Sequence, residues 1–184
     1  MVDADRLARA AVAKGSPGLA AVAAEFGAEV LGEEGELDRR RMAALVFADP
    51  AARARLEAIV HPAVRALFRQ ELAGIEARGE PLAFYDVPLL YETGLDHEVE
   101  LVAVVWAPRE VQLARLRERD GLERPEAEAR LAAQLPVDEK AARADAVVVN
   151  DGDPAALAGK ASRLLADLRA GLTRRLPNAP AARY

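Results

Sequence analysis

Two short, unbroken apolar runs govern what this chain of 184 residues can become. Leu101-Val102-Ala103-Val104-Val105-Trp106 and Ala146-Val147-Val148-Val149 are rich in β-branched residues and too short for helices, and a third run over residues 82–87 ends at Pro88. Continuous apolar strands of this kind belong to parallel sheets covered on both faces, because a sheet with one wet face alternates apolar and polar residues. Helical patterns surround them, over residues 6–13, 19–26, 38–47, 49–78, 109–119, 125–134 and 154–172. Gly15-Ser16-Pro17-Gly18 separates the first two, and Asp49-Pro50 opens the long one, since Asp caps a helix and Pro suits its first turn. Strands alternating with helices predict an α/β fold, a parallel sheet with helices on both faces. Aromatics are only 4% of the chain, so the core must be built from Ala, Leu and Val, which disfavours a β-sandwich. Val2-Asp3 reads as the end of a strand running into an acidic loop. The length predicts a single domain over residues 1–184, with residues 173–184 expected to form a flexible tail.

Several function classes are excluded or disfavoured at once. The chain has no cysteine, which removes disulfides, thiolate catalysis and iron–sulfur clusters. Its two histidines, His61 and His97, are far apart, which disfavours a histidine-rich metal site. A net charge of −5 lacks the basic footprint of a nucleic-acid-binding protein. No apolar run approaches the length of a membrane span, and the N-terminus has no hydrophobic signal core, so a cytoplasmic protein without membrane or nucleic-acid partners is expected.

Ligands of parallel α/β sheets bind at the carboxyl ends of the strands, and those ends are acidic and polar here: Asp3 and Asp5, Asp86, and Asn150. Carboxylates at such a place can hold magnesium or take a proton from a substrate hydroxyl. Helix capping would account for one of Asp3 and Asp5, and a turn would account for Asp86 or for Asn150-Asp151-Gly152. His61-Pro62 reads as a helix start at Pro62, with His61 as an ordinary cap. Arg115, Arg117, Arg119 and Arg124 around Asp120-Gly121 form either a solvated face balanced by Glu118 and Glu123 or a phosphate clamp on a lid.

The order of these features is more specific than any one of them. Val2-Asp3-Ala4-Asp5, Gly35-Glu36-Leu37-Asp38-Arg39, Val46-Phe47-Ala48-Asp49-Pro50, His61-Pro62, Asp86-Val87-Pro88-Leu89-Leu90-Tyr91-Glu92, the arginines leading to Asp120, and Ala144-Asp145 to Asn150-Asp151-Gly152 follow one another in a succession that resembles dephospho-CoA kinases. The likeness runs to about residue 172. It implies a P-loop kinase-like parallel sheet with a helical CoA-binding lobe over about 6–78 and a lid over about 115–143. It also implies transfer of the γ-phosphoryl group of ATP to the ribose 3′-hydroxyl of dephospho-CoA, the last step of coenzyme A synthesis, with Mg²⁺ and a monomer or weak homo-oligomer. By the same resemblance Asp5 is the catalytic base, with Asp3 beside the magnesium and ribose. Arg39, His61, Arg65, Leu89 and Glu92 line the acceptor site, Asp86 acts on the metal through water, Arg115, Arg119 and Arg124 meet the ATP phosphates, and Asn150 lies on the adenine side.

Members of that family open with a strand, a glycine-rich P-loop ending in Gly-Lys-Ser/Thr and a helix, and the 184 residues contain no such motif. The expectation is that the natural start lies upstream and that the chain as given binds ATP poorly. A non-catalytic module binding CoA or dephospho-CoA, or another P-loop kinase of nucleosides or nucleotides, are the alternative readings. Thermal stabilisation by dephospho-CoA but not by magnesium-ATP would favour the module. Purified 184-residue chain is expected to show little or no kinase turnover, and robust turnover would overturn that.

Overall fold

The computed structural model describes residues 1–152, 154–171 and 182–183, and the chain divides into two compact units, Met1–Val87 and Pro88–Tyr184. No helix among the described residues is long and apolar enough to cross a membrane.

In the first unit, Val2 is fully buried and anchors a two-residue strand β1 (Val2–Asp3) parallel to β2 (Tyr85–Asp86), in the register Val2 to Tyr85 and Asp3 to Asp86. The chain passes directly into α1 (Ala4–Ala11), because the Asp3 carboxylate accepts the Arg6 N–H at 3.0 Å and caps the helix. Caps of the same kind set the next three helices. Ser16 accepts the Leu19 N–H to open α2 (Pro17–Phe26), Asp38 accepts the Arg41 N–H to open α3 (Arg39–Ala48), and Asp49 accepts the Ala51 N–H to open α4 (Pro50–Ala77). Pro17 and Pro50 occupy the first turns of α2 and α4, where no N–H is needed.

The helix start expected at Pro62 is not there: α4 runs 28 residues without a break, with Pro62 inside it. Pro62 offers no N–H to the Ala58 carbonyl, a defect that costs about 3 kcal/mol in a helix interior. Packing on both sides outweighs it. Leu56, Ile59 and Val60 before Pro62 pack on the cluster of Val12, Val22, Phe26, Val30, Met42 and Ala52. Val64, Leu67 and Phe68 after it pack on Val2, Leu7 and Ile75. Pro62 thus sits at the switch from one apolar cluster to the next.

In the second unit β3 (Ala103–Trp106), β4 (Ala146–Val149) and β5 (Ala182–Arg183) form a parallel sheet in that order. Four helices accompany it, α5 (Arg109–Asp120), α6 (Arg124–Ala132), α7 (Val137–Arg143) and α8 (Pro154–Arg169). The expectation of strands covered on both faces holds for β4: Val147 packs with Tyr91, Val104, Ala141 and Ala144, while Ala146 and Val148 pack with Leu164 of α8. It does not hold for β3, where Val104 is buried and Val105 is 59% exposed. The strand expected over 101–106 begins at Ala103 because Asp145 intervenes, its carboxylate accepting the Val102 N–H at 2.9 Å. The strand expected over 82–87 contracts to β2. The stretch expected to form the lid holds the end of α5, α6 and α7. The tail expected over 173–184 lies outside the described residues apart from Ala182–Arg183.

Gly18 marks the tightest approach to backbone in the first unit, since a Cβ there would stand 2.1 Å from the Ala11 carbonyl oxygen. Backbone cannot yield as a flexible side chain can. Gly18→Ala is expected to destabilise the fold by about 1–3 kcal/mol, read as a lower urea midpoint with an unchanged slope.

Candidate active site

The acidic end of the first unit is built by register. In a parallel ladder the paired residues Asp3 and Asp86 stand side by side on neighbouring strands, about 4.8 Å apart along the ladder. Asp5 follows in the first turn of α1, and both Asp5 and Asp86 are exposed. Helix capping occupies one of the two N-terminal carboxylates, as the sequence implied, and the one it occupies is Asp3. Asp5 is thereby left out of the cap, and neither Asp5 nor Asp86 forms an ion pair with the described residues.

The donor set fits a hydrated magnesium ion. Magnesium takes hard oxygen ligands, keeps several waters and uses one or two carboxylates with substrate phosphates. Asp3 and Asp86 supply such carboxylates, and no cluster of three or more His, Asp or Glu among the described residues offers a closed cage.

The helical part of the first unit places His61 and Arg65 one turn apart on a single face of α4, both exposed. Arg39 is the first residue of α3 and is also exposed.

In the second unit, Leu89 is 41% exposed on the segment that follows Pro88. Glu92 keeps 20% of its side chain accessible and is bound to α7, with Lys140 Nζ 2.7 Å from Glu92 Oε1 and the Leu135 N–H donating to the same oxygen at 3.0 Å. Lys140 also donates to the Pro88 carbonyl at 3.0 Å, and Arg143 reaches Asp96 and stacks over the Tyr91 ring at 4.0 Å. Desolvation pushes the Glu92 carboxyl up. The Lys140 hydrogen bond, the Glu92 and Leu135 backbone N–H groups and the Lys140 charge outweigh it and hold the group below its ordinary value of 4.5. The sequence reading missed Lys140 and all of α7. Pro136 followed by Asp138 and Glu139 in the first turn, with Lys140 and Arg143 in the last, is the charge order a helix dipole favours and was the available signal.

Arg115 and Arg119, one turn apart on α5, line a groove of about 550 Å³ with Gln112, Leu116, Glu118 and Leu131. Arg115 donates to the Asn150 carbonyl at 2.9 Å and to the Gly152 carbonyl at 3.4 Å, so the structure brings Arg115 and Asn150 together. Arg119 binds Asp120 through two hydrogen bonds, of 2.7 and 2.9 Å, and Arg130 approaches the same carboxylate. The Arg119 hydrogen bond holds the Asp120 carboxyl below the usual carboxylate range, with smaller help from the Arg119 and Arg130 charges against desolvation. Arg124 does not line this groove and is paired with Glu110 and Glu128.

Because Glu92 titrates lower in the folded chain, its pair stabilises the fold above its unfolded value, and that stabilisation is lost as pH falls through the folded value. Lys140→Met is therefore expected to cost about 1–2 kcal/mol at neutral pH. The difference from wild type should narrow in urea melts as pH falls from 4.5 through the lower folded value, leaving the part due to the Pro88 carbonyl. A gap that stays constant with pH would remove Glu92 from the account.

Known proteins resemble this chain in sequence and fold. The family model for dephospho-CoA kinase matches residues 1–155. A dephospho-CoA kinase from Anaeromyxobacter dehalogenans is 67% identical over the whole chain and 87% of its own length, and one from Geobacter metallireducens is 50% identical over 83% of the chain and 76% of its own length. The crystal structure of TT1252 from Thermus thermophilus superposes with a TM-score of 0.77 at 39% identity, covering 91% of this chain and 83% of that one. A dephospho-CoA kinase from Campylobacter jejuni superposes with a TM-score of 0.68 at 26% identity, covering 92% and 85%. With its acidic strand ends, its arginine-lined groove and a family match over most of its length, the chain belongs to the dephospho-CoA kinase family.

Proposed function

We propose that Asp5 is the general base of this kinase, taking the proton of the ribose 3′-hydroxyl of dephospho-CoA as that oxygen attacks the γ-phosphorus of ATP. The new bond joins the ribose oxygen to phosphorus. The bond to the β,γ-bridging oxygen breaks, its electron pair leaves with ADP, and the proton rests on Asp5. The observation that carries this reading is the division of labour at β1: Asp3 caps α1, and Asp5 stands exposed two residues on, in the first turn of α1. A general base needs a carboxylate that no other protein group holds.

The other roles rest on the family resemblance and on charge. In the first unit Arg39, His61 and Arg65 are assigned to the acceptor, and in the second unit Leu89 and Glu92 carry the same assignment. Glu92 acts on that side from a fixed position, because Lys140 and the Leu135 N–H hold it. Arg115 and Arg119 of the groove are assigned to the ATP phosphates, Arg124 would join them on leaving Glu110 and Glu128, and Asn150 is assigned to the adenine side. Magnesium, when bound, neutralises phosphate charge; Asp86 would hold it through a water, with Asp3 alongside. Phosphoryl transfer needs positioning and charge neutralisation more than covalent help, which suits a site made of carboxylates and arginines.

The test is Asp5→Asn. It is expected to lower kcat about 10²–10⁴-fold while leaving the dephospho-CoA dissociation constant, read by calorimetry, within about twofold. An unchanged kcat would remove Asp5 from the mechanism, and lost dephospho-CoA binding would make it a ligand of the acceptor.

A further inference from the structure

The chain leaves β4 through residues 149–152, and two cations from different helices take carbonyl groups of this stretch. Lys160 of α8 donates from Nζ to the Val149 carbonyl at 2.7 Å and stands 3.5 Å from the Asp151 carboxylate. Arg115 of α5 spans the Asn150 and Gly152 carbonyls. On the far side the Asn150 N–H donates to the Trp106 carbonyl of β3 at 2.7 Å. The peptide joining Val149 to Asn150 is therefore fixed at both ends, its carbonyl on Lys160 and its N–H on β3.

That fixation has a consequence for the next peptide. With every peptide trans, the Asp151 N–H points opposite to the Asn150 carbonyl, and so away from Arg115. The strand end thus presents a backbone donor in a defined direction. A 6-aminopurine carries an acceptor at N1, where a 6-oxopurine carries an N–H. One fixed donor therefore accepts the first base and opposes the second, and a site built to hydrogen-bond one partner rejects the analogue that leaves its polar group unpaired.

We propose that Lys160 is a positioning residue for base selection: with Arg115 it holds residues 149–152 so that the Asp151 N–H meets the N1 acceptor of a 6-aminopurine. This rests on the placement of adenine beside Asn150 under the proposed function. Lys160 touches no substrate; it acts through the Val149 carbonyl and the Asp151 carboxylate. Its ammonium is only partly exposed, with 31% of the side chain accessible, so the contact is sheltered from competing water.

The test uses the whole chain and two nucleosides without phosphates, which isolates the base from the phosphate contacts. Adenosine and inosine are titrated while the amide signals of Asn150 and Asp151 are followed by NMR, and hydrogen exchange is read at the Asn150 amide. Wild type is expected to bind adenosine in preference to inosine. Lys160→Met should weaken adenosine about tenfold, leave inosine unchanged and speed exchange at Asn150 about tenfold. Lys160→Arg, which keeps the cation, should restore both to within about twofold. Equal weakening of the two nucleosides would mean a structural role only and overturn the proposal. So would a wild-type preference for adenosine that Lys160→Met leaves intact along with the Asn150 protection; the adenine placement would then stand without it. A wild-type chain with no preference for adenosine would overturn the adenine placement itself, and the selection role with it.

Discussion

Burial of Val2 beside Tyr85 fixes the chemistry of the first unit. Side chains of a strand alternate between faces, so a slip of one residue in the β1–β2 register would turn Val2 out of the core and Asp3 into it. An unpaired buried carboxylate is costly, so the register has one stable solution. Val2 is fully buried with Leu7 and Ile75, and its N–H donates to the Phe84 carbonyl at 2.7 Å. Asp3 then falls opposite Asp86, and the helix starting next to it carries Asp5. A core contact and a candidate catalytic group are thus set by the same two-residue strand.

The second unit solves a different problem with β4 at its centre. Val147 points to α7 and its neighbours, while Ala146 and Val148 point to α8, so both faces of the strand are dry. Such a strand has no freedom to shift, and its carboxyl end delivers residues 149–152 to a fixed place. Lys140 and Arg143 on α7 extend the order outward by binding Glu92, Asp96 and the Tyr91 ring. The segment after Pro88 is held from the side by a helix whose inner face also packs on the sheet.

Most of the element order was legible because its signals are local. Asp49-Pro50 and Gly15-Ser16-Pro17-Gly18 are chemical statements about individual backbone groups; the long helix begins at Pro50 as expected, while α2 begins at Pro17, two residues before its expected start, because Ser16 caps it. The triple valine after Ala146 was read as a buried strand and is one. What escaped was decided by tertiary packing. Pro62 reads locally as a helix start, and only the apolar clusters on either side of it explain a helix that continues. The apolar run at Val105 reads as a doubly covered strand, and its exposure depends on what lies over that face. The candidate carboxylates could be placed because strand ends locate them. Lys140 and Lys160 could not, since each acts on groups far away or across a helix, and nothing in their own neighbourhoods distinguishes them from surface lysines.

The arginines of the second unit differ in what it takes to move them. Arg119 and Arg124 are more than half exposed, and they pair directly with Asp120, Glu110 and Glu128 at the surface. Exposed pairs of this sort are each worth about 0–1 kcal/mol, so a phosphate can exchange for the carboxylate at small cost. Arg115 and Lys160 hold carbonyls in partly buried places, where releasing the cation leaves backbone acceptors unpaired. The same residue type therefore serves two purposes within one groove. Arg119 gives up only an exposed pair on meeting a ligand, whereas Arg115 spans the Asn150 and Gly152 carbonyls. Under the proposed roles, charge would recruit a nucleotide and the held strand end would select its base.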